Sequence, residues 1–131
     1  EFWDLSLVDP DNRRPVDYPL RIALMKDLKK LHGDNLAAQV MARAEEGLPK
    51  MWVAHHALRL RRERPEWFGA EAAYTPLLAQ GPKSDHVIAY MRGESLAVIV
   101  PRLTVKLGGA WRETSIVLPR GRWLNVLTSI E

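Results

Sequence analysis

The 131-residue sequence contains no cysteine, and this absence removes several classes of chemistry at once. A chain without thiols forms no disulfide bonds, offers no cysteine nucleophile and builds no cysteine-ligated zinc site. A small secreted scaffold held together by disulfides is therefore excluded. A cysteine-free chain suits a reducing compartment, so we expect a cytoplasmic protein.

Long apolar runs and an excess of charge of one sign are also missing. A membrane span needs about 20 consecutive apolar residues, and no such run occurs, so we expect no membrane partner. Residues 1–64 hold 12 basic and 10 acidic side chains, and residues 65–131 hold 7 and 6. Because nucleic-acid-binding proteins concentrate basic residues on one face, this balance predicts no nucleic-acid partner.

The composition that remains is that of an ordinary folded unit, with 47% hydrophobic and 27% charged residues. The length indicates one domain, or one and a fraction. The chain opens Glu1-Phe2-Trp3, with neither an initiator methionine nor the charged and apolar start of a signal peptide. We therefore expect it to be cut from a longer protein.

The hydrophobic pattern divides the chain into three segments. Residues 1–18 have no helical or alternating period and are predicted to form an irregular loop. Residues 19–66 predict three helices: the first runs from Pro19 to just before Gly33, the second is capped by Asp34 or Asn35 and ends at Gly47, and the third runs from Pro49 to Arg64. The third is expected to be the most buried helix.

Residues 67–131 change to the pattern of short strands separated by Gly and Pro turns. The candidate strands are Ala73–Leu78, His86–Met91, Leu96–Val105, Arg112–Leu118 and Trp123–Thr128. Because the run Leu96–Val100 is apolar on both faces, it is expected to be the central strand. The predicted fold class is α+β: a loop and about three helices, followed by an antiparallel β-sandwich.

The richest chemistry lies in the segment DPDNRRP, residues 9–15. Two prolines restrict its backbone, while carboxylates, an amide and two guanidinium groups supply many directed hydrogen bonds. Such a set suits a neutral, hydroxyl-rich ligand such as a sugar. The residue types alone are also compatible with a loop held by internal ion pairs, for example Asp9 or Asp11 with Arg13 or Arg14.

The other candidates are interpreted mainly as structural. The five tryptophans could stack on sugars but are expected to lie in the core. His55 and His56 point about 100° apart on a helix and so do not predict a metal site, and no cofactor is expected. Asp85-His86 is interpreted as a turn rather than a catalytic dyad, and the arginines from Arg59 to Arg64 as a solvated helix end.

At this point the sequence resembles a known family. DPDNRRP is similar to the segment that follows the eighth barrel strand in the α-amylase superfamily of glycoside hydrolases, and the whole string EFWDLSLVDPDNRRPVDY, residues 1–18, most resembles its maltooligosyltrehalose synthase family. Further similar strings follow in order: KMW at 50–52, LRLRRERPE at 58–66, HVIAY at 86–90, VIVPR at 98–102 and LPRGRW at 118–123.

The resemblance implies both a fold and an activity. The chain would be the C-terminal part of the enzyme: residues 1–18 as the loop after the last strand of a TIM barrel, residues 19–66 as helices closing that barrel, and residues 67–131 as a C-terminal β domain. The enzyme would be an intramolecular transglucosylase that converts the reducing-end α-1,4 link of a maltooligosaccharide into an α,α-1,1 link, using a carboxylate nucleophile and an acid/base.

The implied site is limited to substrate binding. The family's catalytic carboxylates lie upstream, so no catalytic residue is assigned here and the fragment alone is expected to be inactive. Asp9 and Arg13 match positions that hydrogen-bond a glucose unit in related enzymes, with Arg14 and Asp17 as candidate supports. The implied partners are the maltooligosaccharide and the missing barrel, and apolar surface around Leu20, Leu24 and Trp52 is expected to be exposed where that barrel would lie.

Two other functions stay open. The chain could be the tail of an α-amylase-like hydrolase or a 4-α-glucanotransferase with the same loop. It could also be a module that binds carbohydrate or protein and catalyses nothing.

Overall fold

The computed structural model describes residues 15–33 and 35–131, in which helices precede strands as predicted. The α-helices are α1 (Tyr18–Leu28), α2 (Leu36–Met41), α3 (Leu48–Glu63) and the short α4 (Thr104–Leu107). The strands are β1 (Tyr74–Leu77), β2 (Ala79–Gln80), β3 (Val87–Arg92), β4 (Leu96–Pro101) and β5 (Ser115–Ile116), and single 3-10 turns form at Pro65–Trp67 and Ser84–His86. The α+β class is confirmed, with small antiparallel sheets.

Helix α1 begins where the sequence predicts. Pro19 stands in its first turn, where a missing N–H costs nothing, and the Asp17 side chain accepts a hydrogen bond from the backbone N–H of Leu20. The helix ends at Leu28, earlier than predicted, and the chain continues through tight turns to Gly33, whose φ of +96° is a backbone conformation that glycine adopts without strain.

Helix α2 is shorter than predicted, and α3 matches its prediction. Asn35 stands at the start of α2, but its side chain makes no capping hydrogen bond, and Asp34 lies outside the described residues. After Met41 the chain forms successive turns up to Gly47, and α3 begins at the next residue, Leu48. The buried residues of α3 are Leu48, Met51 and Trp52 in its first half, although Val53 there is 49% exposed. Most of its second half is exposed, including Leu58, Arg61 and Arg62.

The helices share one hydrophobic core. Its buried members are Leu24, Leu28, Leu36, Val40, Leu48, Met51 and Trp52, with Met25, Leu31 and Leu127 packed against it. The expectation of exposed surface is therefore wrong for Leu24 and Trp52, which are 2% and 6% exposed. The helices and the Leu127 segment cover these two side chains, while Leu20 is exposed as expected.

The strands form two antiparallel sheets, one with the order β1-β3-β4 and one pairing β2 with β5. The central strand of the larger sheet is β3, which pairs with β1 on one side and with β4 on the other. The prediction that the run Leu96–Val100 is central is therefore wrong. The apolar residues of this run lie on both faces of the sheet. Such a pattern does not indicate whether a strand has one neighbouring strand or two.

Three predicted strands also differ from the structure. The strand from Leu96 stops at Pro101, because Leu103 takes a left-handed conformation and α4 follows. The strand predicted over 112–118 keeps only Ser115–Ile116. The strand predicted at Trp123–Thr128 is absent: the Asn125 carbonyl accepts from the N–H groups of Thr128 and Ser129, and its side chain accepts from Leu127, which closes a turn.

Backbone contacts divide the chain into two compact units. One, the helical unit, comprises the described residues up to Arg59 together with Trp123–Glu131, and the other, the β unit, comprises Leu60–Arg122. In the β unit, Gly81 has a φ of +104° and lies so close to the carbonyl of Glu113 that any side chain would collide with it. No helix within residues 15–33 and 35–131 is long and apolar enough to cross a membrane.

Candidate functional site

The structure places one member of the predicted sugar-binding set. Asp9, Arg13 and Arg14 lie outside the described residues, and the description begins at Pro15. Asp17 caps α1 through a 2.9 Å hydrogen bond from the Leu20 N–H to its Oδ1, and its carbonyl oxygen accepts from the Arg21 guanidinium at 3.1 Å. Asp17 therefore fixes the backbone at the start of α1, directly after the predicted binding segment. This is a positioning role.

The start of α1 carries exposed apolar side chains immediately after this segment. Val16, Tyr18, Leu20 and Ile22 are all exposed, whereas Leu24 and Leu28 of the same helix are buried. Tyr18 and Ile22 are four residues apart and share one side of α1, whereas Leu20 lies on the other side, so these exposed side chains do not form one patch. The sequence indicated exposure only at Leu20.

The helical unit contains a cavity of about 530 Å³ beside Trp52. Its lining residues are Leu31, His32, Gly33, Leu36, Trp52, His56, Thr128, Ser129 and Ile130. The indole N–H of Trp52 donates to the carbonyl of Leu127 at 3.1 Å, which ties α3 to the C-terminal segment. Among the described residues, the buried Thr128 hydroxyl has no hydrogen-bond partner. None of the described lining residues is a carboxylate, so this lining offers no pair of carboxyl groups of the kind that glycosidases use.

His56 lies against Trp52 in this cavity. The two ring centroids are 4.2 Å apart with an interplanar angle of 47°. Burial lowers the pKa of His56, and the nearby charges of His55 and Arg59 lower it further. A neutral imidazole is therefore favoured here, which suits packing on an indole ring.

The histidine pair does not form a metal site with other described residues. The rings of His55 and His56 meet edge to face, with centroids 5.3 Å apart. In the part of the chain that the structure describes, no group of three or more His, Asp and Glu side chains is arranged to hold a metal ion.

An ion-pair cluster around Arg43 joins α1 to the turns after α2. The Arg43 guanidinium donates to both carboxylate oxygens of Glu46, at 2.8 and 2.7 Å, and to Asp27 at 3.2 Å. These hydrogen bonds lower the pKa of Glu46, and together with Lys30 they lower that of Asp27. Hydrogen bonding to Glu46 raises the pKa of Arg43. Because the members of this cluster bond to one another, we interpret it as a structural clamp between α1 and the turns after α2, and we call it the Arg43 clamp.

The β unit has a second, more apolar cavity of about 380 Å³. It is lined by Val87, Ile99, Val100, Pro101, Trp111, Thr114, Ser115, Ile116 and Leu118. Trp111 is 40% exposed, so the prediction that the tryptophans lie in the core is wrong for it, whereas it is confirmed for Trp52. Trp111 lies outside the regular strands, and strand spacing was therefore no guide to its burial.

The remaining sequence-based interpretations have clear outcomes. Ser84–His86 forms a 3-10 turn, which confirms a turn at Asp85-His86. Arg61 and Arg62 are exposed at the end of α3, and the Arg64 guanidinium lies 5.4 Å from the centre of the Trp67 ring. The stacking of Tyr74 on Tyr90, whose ring centroids are 4.6 Å apart, was not predicted from the sequence. The period-2 pattern of β3 could have placed Tyr90 on the face opposite Ala89 and Met91.

Comparison with known proteins connects the chain to one enzyme. No protein-family model matches it. Two curated proteins from Mycobacterium tuberculosis, strains CDC 1551 / Oshkosh and H37Rv, both provisionally named maltooligosyl trehalose synthase, are each 44% identical to it over 129 residues. The match covers 98% of this chain and 14% of each relative.

Solved structures give the same relation. Maltooligosyltrehalose synthase from Arthrobacter ramosus matches with a TM-score of 0.79, and a mutant of the same enzyme with 0.80, both at 36% sequence identity. Each match covers 98% of this chain and 16% of the solved chain. The chain thus spans about one-seventh of the relatives' length, and it resembles a portion of them along nearly all of its own.

Proposed function

We propose, from the homology of this chain to a portion of maltooligosyltrehalose synthase, that it is the C-terminal part of such an enzyme. The parent would convert the reducing-end α-1,4 link of a maltooligosaccharide into an α,α-1,1 link and leave a trehalose unit at the chain end. The observation that carries the proposal is 44% identity over 98% of the chain, supported by a structural match of similar extent.

In this proposal the chain binds substrate and the chemistry lies elsewhere in the parent. Residues 1–18 form the loop after the last barrel strand, residues 19–66 close the barrel, and residues 67–131 belong to a β-sandwich domain. The nucleophile and the acid/base are carboxylates outside this chain. The absence of cysteine supports a cytoplasmic parent.

Asp9, Arg13 and Arg14 are the proposed sugar-binding side chains. A carboxylate accepts from one sugar hydroxyl, and a planar guanidinium donates to two neighbouring hydroxyls, so the segment DPDNRRP can orient a glucose ring. Asp17 would support them from a short distance along the chain, because its cap fixes the backbone at the start of α1.

The binding assignment is tested by Asp9→Ala and Arg13→Ala in the parent enzyme. Each variant loses a hydrogen bond to a charged group, at a cost of about 1.5–3 kcal/mol in binding, so KM should rise most for the longer maltooligosaccharides. The matched control is Arg61→Ala, an exposed arginine at the end of α3. Kinetics equal to the parent's in both site variants would remove the assignment.

Two variants of Asp17 distinguish a positioning role from direct contact with the sugar. Asp17→Ala loses the helix cap, whereas Asp17→Ser keeps a capping oxygen but lacks the carboxylate. If Asp17 only positions the segment, the serine variant should restore the parent's KM and the alanine variant should not. A serine variant as impaired as alanine would instead indicate direct sugar binding by the carboxylate.

A further inference from the structure

One face of the larger sheet of the β unit is partly exposed to solvent. The strand register places Tyr74 and Pro76 on the same face as Tyr90, and Ala89 and Met91 on the opposite face. Ala89 and Met91 are buried, whereas Tyr74 is 57% exposed. The face with the tyrosines is completed by Ile88, Arg92, Leu96, Val98 and Val100.

Two aromatic rings stack on each other on this face. The Tyr74 and Tyr90 centroids lie 4.6 Å apart with an interplanar angle of 28°, a stacked arrangement. They belong to the adjacent strands β1 and β3, whose ladder fixes both backbones. Tyrosine has two side-chain torsions and combines an apolar ring with a polar hydroxyl, so it contacts a ligand at little entropic cost.

The face is nearly neutral. Arg92 is the one charged side chain that β1, β3 and β4 place on it, and its guanidinium donates to the carbonyl of Gly69 at 3.2 Å. With one guanidinium group and no carboxylate contributed by these three strands, the face carries little charge to attract an ion-rich partner. A neutral ligand with apolar C–H faces and a rim of hydroxyls suits the outer face of Tyr74, which is 57% exposed although its other face stacks on Tyr90.

We propose that the Tyr74–Tyr90 pair is a platform that binds the glucose rings of an α-1,4-glucan chain. The proposal rests on the proposed function, which makes such glucans the parent enzyme's substrates. A pyranose ring would lie on the outer face of the Tyr74 ring, which Tyr90 supports from its other face, with sugar hydroxyls reaching the tyrosine hydroxyls at the rim. The platform would hold a glucan chain at the β unit.

The test uses the full-length parent enzyme and immobilised amylose. Tyr74→Leu keeps an apolar side chain but removes the flat ring, so retention on amylose should weaken about tenfold, the upper range for one aromatic contact. Tyr74→Phe keeps the ring and should retain most of the binding. Leu78→Ala changes a side chain that is 82% exposed just beyond β1, and it should bind as the parent does.

Two results would overturn the platform. Equal retention of all the variants would show that Tyr74 does not bind glucan, and a fall in Tm for Tyr74→Leu with unchanged retention would show that another part of the parent covers this face. Conversion of maltopentaose is measured in the same preparations. Failure of that reaction would reject the proposed function, whereas the difference in amylose retention between Tyr74→Leu and Tyr74→Phe reports on the platform.

Discussion

The helical unit and the β unit are stabilised in different ways. In the helical unit, seven buried side chains form one cluster that α1, α2 and α3 share. Among the described residues of the β unit, the buried hydrophobic side chains are Ala89, Met91 and Leu107, and none of them joins that cluster. The helical unit thus depends on side-chain burial, and the β unit on strand pairing and close backbone contacts.

This difference bears on where ligands can bind. A sheet with little of its surface buried leaves ring-bearing side chains such as Tyr74 accessible on rigid strands. A well-packed helical unit instead fixes the start of α1. Under the two proposals made above, the helical unit would anchor the sugar-binding segment and the β unit would offer a binding surface.

The largest effect is expected at the deepest side chain of the helical core. Leu48 is completely buried, so Leu48→Ala should lower the free energy of unfolding by about 2–5 kcal/mol. The matched control is Leu58→Ala on the same helix, where the leucine is 66% exposed and the change should stay within about 0.5 kcal/mol. Urea unfolding followed by circular dichroism measures both. Similar losses in the two variants would refute the burial account of this unit.

The next effect is expected from the backbone of the β unit. Gly81→Ala places a Cβ against the Glu113 carbonyl at a φ of +104°, which should destabilise the β2–β5 pairing by about 1–3 kcal/mol. Gly69→Ala is the control, because a Cβ there meets ordinary van der Waals distances. Amide hydrogen exchange at Gln80 and Ser115 reports the pairing. Unchanged protection in the Gly81 variant would contradict the role given to close backbone contact.

A smaller, pH-dependent effect is expected at His56. Its pKa is lowered in the folded state, so the unfolded chain binds a proton at a higher pH than the folded chain. The associated stability is present above the ordinary histidine pKa of about 6.5 and decreases as the pH falls below it. His56→Gln should therefore reduce the loss of Tm between neutral and mildly acidic pH. An identical loss in the variant would show that His56 does not link protonation to stability.

The smallest effect is expected from the Arg43 clamp. Its partners Asp27 and Glu46 are solvent-accessible, and exposed ion pairs contribute little because water and salt screen them. Arg43→Met should lower Tm slightly at low salt and hardly at all at high salt. Because the pKa values of both carboxyl groups are lowered in the fold, the clamp stabilises at neutral pH and is lost as they become protonated in acid. A loss of Tm that does not depend on salt would indicate that the Arg43 side chain stabilises the unit by packing instead.

Local patterns predicted the helices better than the strands. Pro19 and the leucine spacing placed the start of α1, and Pro49 placed α3 within a residue at each end. The early end of α2 was not predictable, because the alanines and Met41 continue a helical pattern. The turns that follow Met41 have no strong sequence signal. Which helix faces become buried depended on their mutual packing, as Leu24 and Trp52 show.

The strands depended on conformations that side-chain patterns do not report. Leu103 and Arg112 adopt positive φ values that interrupt two predicted strands, although neither is a residue type that favours them. The Asn125 turn replaced a strand through hydrogen bonds made by a single side chain and its carbonyl. Of the predicted sugar-binding set, the sequence named Asp17 only as a candidate support, and the structure shows it as the cap of α1.

The most direct test of the central claim is to incubate the full-length parent protein with maltopentaose and follow both reducing ends and chain length. The account predicts that reducing power disappears while the chain keeps its length, with a trehalose unit at its end. Shorter chains with free reducing ends would contradict it and indicate a hydrolase or a glucanotransferase. No reaction at all would contradict it as well and indicate a binding module.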